Sequence, residues 1–393
     1  MQLRIVLILS ALALASCPQP TKPDPGEALQ RQALAAIEGN VARPSLERFV
    51  TDSSALQLAV EAWRQAPAGQ ETAALDDAKK KFEVAFLSWQ RVELLQFGPL
   101  GPATRVTLGE GLRDEIYSWP TANLCRIDAA LVANTTADDA YFDAALVTSK
   151  GLLVLEELLH NQSTATTCPA TATIVTDGSW AALSGTPVLQ ERRKAWAVGV
   201  ARHVERTAKK ARDGWVAYAE KQASAGAMGS PWRTPKDALD DVFAGLFLVD
   251  QLVKDSKLGA PSGLNMACMA TSCPELAESP RALLSSRAVV ENLVALRAGF
   301  TGSFEADATA IGFDDLLVER GATELKDQML AALDSALVDA RALDRPVQRL
   351  VVESPDAVPA LRTKVKAFTD LLKTQFVTTL SLKVPKEGAG DND

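Results

Sequence analysis

Residues 72–95 read TAALDDAKKKFEVAFLSWQRVELL, and this stretch decides the fold class. Phe82, Phe86, Trp89 and Val92 recur at intervals of four and three, which puts all four on one face of a helix. Leu56, Val60 and Trp63 repeat the pattern. Outward from here, segments rich in Ala, Leu, Glu, Lys, Arg and Gln, the good helix formers, predict helices near 26–42, 45–66, 72–95, 137–160, 187–222, 235–254, 279–301, 322–343 and 358–383. Only the β-branched run 171–175 invites a strand. The chain therefore reads as all-α.

Between two long helical patterns, residues 223–235 gather Ser224, Gly226, Gly229, Ser230, Pro231 and Pro235, which punctuate rather than continue a helix. They separate an N-terminal helical bundle, 26–222, from a C-terminal one, 236–385, each expected to run up and down like a four-helix bundle because its connections are short. No repeat recurs at the period of roughly 20–50 residues that solenoids show.

The first 16 residues hold one charge, Arg4, then an apolar run from Ile5 to Leu14, then the small Ala15 and Ser16, which is the layout of an export signal. A spanning helix needs about 20 apolar residues. This run is shorter and meets Pro18, Pro20, Pro23 and Pro25 at once. Leu14-Ala15-Ser16-Cys17 resembles the bacterial lipobox, which implies cleavage before Cys17 and acylation of that cysteine with chains such as palmitate. An ordinary secretory signal with an incidental cysteine is the alternative. Residues 17–25 form a Pro-rich tether, and 386–393 are expected to be a disordered tail. Pro18 stands where inner-membrane lipoproteins usually carry Asp, so the sorting signals favour the outer membrane, with the body facing the periplasm.

Without residues 1–16 the chain carries 40 basic and 49 acidic residues, a net charge of −9, which opposes nucleic-acid binding. Cys125, Cys168, Cys268 and Cys273 are an even set in a chain expected to enter an oxidising space, so two disulfides are the default. Proximity favours Cys268 with Cys273, leaving Cys125 with Cys168. A thiolate metal site is the alternative, against which the spacing Cys268-x4-Cys273 offers neither CxxC nor a nearby His.

Several stretches, taken in order, resemble the imelysin-like family of bacterial periplasmic and lipid-anchored proteins. They are Trp89-Gln90-Arg91-Val92-Glu93 with Phe97-Gly98-Pro99; Ile116-Tyr117-Ser118-Trp119-Pro120 with Cys125-Arg126-Ile127-Asp128; Gly151 through Glu156-Glu157-Leu158-Leu159; and Lys257-Leu258-Gly259 with Glu278-Ser279. The resemblance implies an all-helical fold of two bundles, export, and a link to iron supply. It also carries an old label of metallopeptidase, resting on a GxHxxE motif. Here that motif keeps Gly151 and Glu156, but position 153 is Leu. Residues 153 and 156 share a helix face, so a His there could hold a metal with Glu156, and Leu153 cannot.

His160 lies four residues after Glu156 and three after Glu157, so these three are the weak candidates for iron or another divalent metal. The competing reading puts His160 at a helix end, opposing the dipole there. A mid-helix Gly151 costs about 1 kcal/mol relative to Ala, so either a neighbouring backbone approaches it, or the helix breaks there, or it is an unselected surface glycine. Glu93, Asp128 and Ser279 could join Gly151 and Glu156 around a polar pocket; structurally, Trp89 and Trp119 read as core anchors and Ser279-Pro280 as a helix start.

No His-Glu-x-x-His, Gly-x-Ser-x-Gly or Walker loop occurs, and only two histidines are present. The sequence thus points to a non-enzymatic, lipid-anchored binding or accessory protein, with iron or haem uptake and an envelope iron-uptake partner implied by the resemblance. A metal-dependent peptidase and an envelope scaffold are the alternatives.

Overall fold

The computed structural model describes residues 25–104, 106–306 and 309–385. The signal, Cys17 and most of the tether, and the tail from 386 onward, lie outside the described residues. Within them the chain is all-helical and no strand is present.

The long helices are those the periodicity marks. Helix α1 (Pro25–Ala36) passes through a wider π-helical turn, Ile37–Ala42, directly into α2 (Arg43–Gln65), and α3 spans Glu71–Glu93. On α3 the stripe Ala78, Phe82, Ala85, Phe86, Trp89 and Val92 is wholly buried. Short helices follow: α4 (Leu112–Ile116), α5 (Leu124–Val132), α6 (Asp139–Ala144), α7 (Leu152–His160), α8 (Thr173–Thr176) and α9 (Ser179–Ser184). The longest, α10 (Val188–Ala223), buries Trp196, Val200, Val204, Ala208, Ala211, Trp215 and Tyr218 along one side.

Beyond the Gly/Pro-rich segment come α11 (Pro235–Leu246), a π-helical stretch Val249–Gly259, α12 (Ser285–Thr301), α13 (Phe313–Glu319), α14 (Thr323–Ala342), α15 (Val347–Glu353), α16 (Ala357–Leu371), a π-helical turn Leu372–Phe376 and α17 (Val377–Leu380). Thr234 caps α11 by accepting the Asp237 N–H at 3.1 Å, with Pro235 at the first turn, where its missing N–H costs nothing.

Helix α2 packs between α3 and α10, and α7 lies against both α3 and α10. On the other side, α12 packs on α14, α14 on α16, and α16 on the 249–259 stretch. The two groups meet where α3 lies against α12. One continuous apolar core runs through both.

Three sequence expectations are corrected. Residues 171–175 form no strand, because the β-branched run coils into the single helical turn of α8. The helix expected over 137–160 is broken between Ala145 and Gly151, where extended residues and a 3-10 turn part α6 from α7. The helix expected from 279 begins at Ser285; Ser279 sits in the left-handed region at φ 52°, whereas an N-cap needs an extended backbone.

Both cysteine pairs are disulfide-bonded, Cys125 to Cys168 and Cys268 to Cys273.

Candidate functional site

The junction of α3, α7, α12 and the 249–259 stretch contains a closed cluster of charged residues. On the 249–259 stretch, Val249, Leu252, Val253 and Leu258 are buried, and Lys257 emerges among them, 1% exposed. A buried ammonium must be paired to persist. Lys257 Nζ donates to Gln90 Oε1 at 2.5 Å, Glu93 Oε2 at 2.6 Å and Asn292 Oδ1 at 2.7 Å, and lies 2.9 Å from Glu278 Oε2. All three of its N–H donors are spent. Trp119 closes one side, its ring centre 5.9 Å from Nζ.

The partners are locked in turn. Arg113 donates to Glu93 Oε1 at 3.2 Å, Asn292 Nδ2 to the Gln90 carbonyl at 2.7 Å, and the Tyr117 hydroxyl to Glu278 Oε1 at 2.9 Å. Burial pushes the Glu93 carboxyl up, but Lys257 and Arg113 more than reverse this and hold it below its usual value. Glu278 is likewise pushed up by burial, and with Lys257 shared and Glu93 nearby it stays raised. Burial, then Glu278, Glu156 and Glu93, drive the Tyr117 phenol well above its ordinary value, so it remains a donor.

Glu156 forms a second centre beside the first. Its Oε1 accepts the Ser279 hydroxyl at 3.2 Å and the backbone N–H groups of Arg281 and Ala282, each at 2.8 Å. No helix starts at Ser279, which lies in the left-handed region; the chain turns through a loop before Ser285, and Glu156 from α7 satisfies free amides of that loop. Glu156 Oε2 is buried without a hydrogen-bond partner. Burial pushes its carboxyl up to about 7 against the pull of the two amides and Ser279, and Glu278 adds to the rise.

Gly151 is the residue before α7, at φ 87°. A Cβ there would come within 2.5 Å of the Ile116 carbonyl oxygen. Both special geometries expected of this glycine hold, a helix boundary and a close backbone approach.

The structure therefore brings Glu93, Glu156, Ser279 and Gly151 to one place and leaves Asp128 out. Asp128 Oδ2 instead accepts from Thr167 N at 2.6 Å and from the Thr166 and Thr167 hydroxyls, fastening the loop next to the Cys125–Cys168 disulfide. Glu157 pairs with Arg281 at 2.9 Å and accepts from Asn161. His160 ends α7 as the helix-end reading expects, but burial and then Lys79 lower its imidazole to about 4, so it brings no positive charge to the dipole. It packs edge-on to Phe82, ring centres 5.7 Å apart. His203 lies elsewhere, on α10, 3.3 Å from Glu115 Oε2. Trp89 and Trp119 are buried anchors.

Lys257, Glu278, Gln90, Asn292, Tyr117 and Arg113 did not stand out as site residues in the sequence. For Lys257 a signal existed: a lysine set into an apolar stripe at helical spacing must have a buried counter-charge.

These residues do not fit a metal. Leu153 is packed in the core, Glu156 is bound by amides, Glu157 is held by Arg281, and His160 faces Phe82. Among the described residues no three of His, Cys, Asp or Glu converge as a ligand set. At the edge of the cluster, Arg113 and Trp119 line a cleft of about 230 Å³ together with Gln96, Leu248 and Ser256.

The model of the imelysin family matches residues 42–375. This chain belongs to the imelysin family. Among solved structures, it is similar to an imelysin-like protein from Psychrobacter arcticum 273-4, with a TM-score of 0.69 at 16% identity over 92% of this chain and 98% of that one. It is equally similar to a protein from Parabacteroides distasonis ATCC 8503 named as an iron-regulated protein A precursor, with a TM-score of 0.69 at 15% identity over 92% of this chain and 97% of that one. At such identity the likeness shows the shared fold. No curated protein matches the chain. Within this imelysin, no helix of the described residues is long and apolar enough to cross a membrane.

Proposed function

We propose that this imelysin is a lipid-anchored protein of the bacterial envelope, facing the periplasm, with a non-enzymatic binding or accessory role in iron or haem uptake. The observation that carries the non-enzymatic part is the closure of the motif site. Lys257 consumes the carboxylates of Glu93 and Glu278, and Glu156 is enclosed by the 279–282 loop. With Leu153 in the histidine position, the motif residues offer neither a His–Glu pair to hold a metal nor a carboxylate pair open to substrate. Support for the iron link comes from the family and from the name of the Parabacteroides relative. Support for the anchor, and for the outer membrane, is the run Leu14–Pro18.

The test is growth under iron chelation. Cells lacking the chain are expected to grow more slowly than wild type and to be restored by the native gene but not by Cys17→Ser. Equal growth with and without the chain overturns the iron role, and acyl labelling that persists in Cys17→Ser overturns the anchor. Metal-stimulated peptide hydrolysis lost in Glu156→Gln would establish the peptidase instead.

A further inference from the structure

A cavity lies apart from Gly151 and Glu156, and the spacing on α11 explains its wall. Asp237, Asp240, Asp241, Ala244 and Leu248 follow one another at intervals of one, three and four, a single stripe of α11 and its continuation. They face Thr104, Val106 and Thr107, the Pro231–Trp232 turn and Val384, around a space of about 500 Å³. That volume falls within the usual range for small-molecule sites, roughly 300–1,000 Å³.

The polar groups of this wall differ in what they still lack. Asp237 pairs with Lys383 and Arg233, each at 3.3 Å, and Asp240 with Lys236 at 3.1 Å and Lys383 at 3.4 Å. Asp241 has no cation among the described residues. Its Oδ2 accepts the Trp232 indole N–H at 2.8 Å and the Thr107 N–H at 3.2 Å, and its Oδ1 takes no hydrogen bond. Gln96 is 8% exposed and lines the same cavity. One of its two Nε2 hydrogens goes to the Glu93 carbonyl at 3.0 Å, and its Oε1 takes no hydrogen bond among the described residues. Among the described residues these two acceptors have no protein donor and the carboxylate no cation, and they line the cavity with Val106, Ala244, Leu248 and Val384.

We propose that this cavity is a binding site for a small organic cation, an alkyl- or arylalkyl-ammonium whose N–H donors engage Asp241 and Gln96 while its carbon body packs on the apolar wall. The charge complementarity selects an amine over its neutral and anionic counterparts: an alcohol forgoes the ion pair, and a carboxylate meets Asp241 as a like charge. Burial, opposed by Trp232 and Thr107 and reinforced by Asp240, holds the Asp241 carboxyl above its usual value.

Calorimetric titration of the purified chain with 2-phenylethylamine, 2-phenylethanol and 3-phenylpropionate tests the site. The amine is expected to bind saturably and at least tenfold more tightly than the alcohol, with the carboxylate weakest. Asp241→Asn keeps an oxygen for Trp232 and Thr107 and should cost the amine at least tenfold. Ala244→Phe, which leaves Asp241 intact and fills the cavity, should abolish binding of all three. Absence of saturable amine binding, equal affinity for amine and alcohol, or amine binding undiminished in folded Ala244→Phe each overturns the proposal.

Discussion

Lys257 and Glu93 meet at 2.6 Å in the centre of the molecule, on elements 164 residues apart in the chain, with side chains 1% and 0% exposed. The pair joins the half of the chain that carries α3 to the half that carries α12. Removing one member of a buried pair strands the other as an uncompensated charge, which costs about 3–5 kcal/mol. Lys257→Met should lose stability of that order in urea unfolding. Adding Glu278→Gln to it should recover a substantial part, since Glu278 loses Lys257 while Glu93 keeps Arg113. A double variant no more stable than Lys257→Met would show that packing, not charge, fixes this residue.

Glu156 predicts a pH dependence of stability. Its folded-state value of about 7 lies above the ordinary carboxyl value of 4.5, so the native state holds the proton more tightly than the unfolded chain does. The resulting stability is fully present below about pH 4.5 and is lost as pH rises to about 7, a change of about 3 kcal/mol at 1.36 kcal/mol per unit. Glu156→Gln keeps an oxygen for the amides of 281 and 282 and removes the titration. Melting curves of the two proteins should therefore diverge between pH 5 and pH 8, with the variant the more stable at the higher pH. Parallel curves would contradict the burial of an ionisable group here.

Gly151→Ala meets both a left-handed backbone and the Ile116 carbonyl oxygen 2.5 Å from the new Cβ. A loss of at least about 2 kcal/mol is expected, measured by denaturant midpoint. Gly321 has a similar φ, +74°, but open space around its Cβ. Gly321→Ala should cost only about 1 kcal/mol, the price of the conformation alone. Equal losses at the two positions would remove the close approach as the reason for Gly151.

The two disulfides should contribute unequally. Cys125–Cys168 closes a separation of 43 residues and Cys268–Cys273 one of 5. Loop-closure entropy assigns them about 4 and about 2 kcal/mol. Unfolding of Cys125→Ser/Cys168→Ser and of Cys268→Ser/Cys273→Ser checks the order; the reverse order would mean that native contacts, such as those of Asp128 to the 166–167 loop, outweigh chain entropy.

Much of the fold was legible in the sequence because helices are local: the stripe Phe82, Phe86, Trp89, Val92 announces a buried face without reference to anything else in the chain. The cysteine pairing was legible for a similar reason, few cysteines at unequal separations. Misreadings fell where distant groups intervene. Ser279-Pro280 has the composition of a helix start, but Ser279 takes a positive φ in a loop that docks on Glu156, 123 residues earlier. Asp128 and Glu93 look alike as acidic residues in characteristic stretches; only packing sends one to a loop of threonines and the other to Lys257.

By itself, then, the sequence determined the helical class, the long helices, the cysteine partners and the loss of the motif histidine at Leu153. Each depends on residue type or on spacing within a few turns. Tertiary structure alone decided that the motif carboxylates are closed in on themselves, that Lys257 is their counter-ion, and that a cavity opens beside Asp241. Those outcomes depend on which buried charges face one another across the core, and the low dielectric there makes such pairing decisive while no local pattern records it.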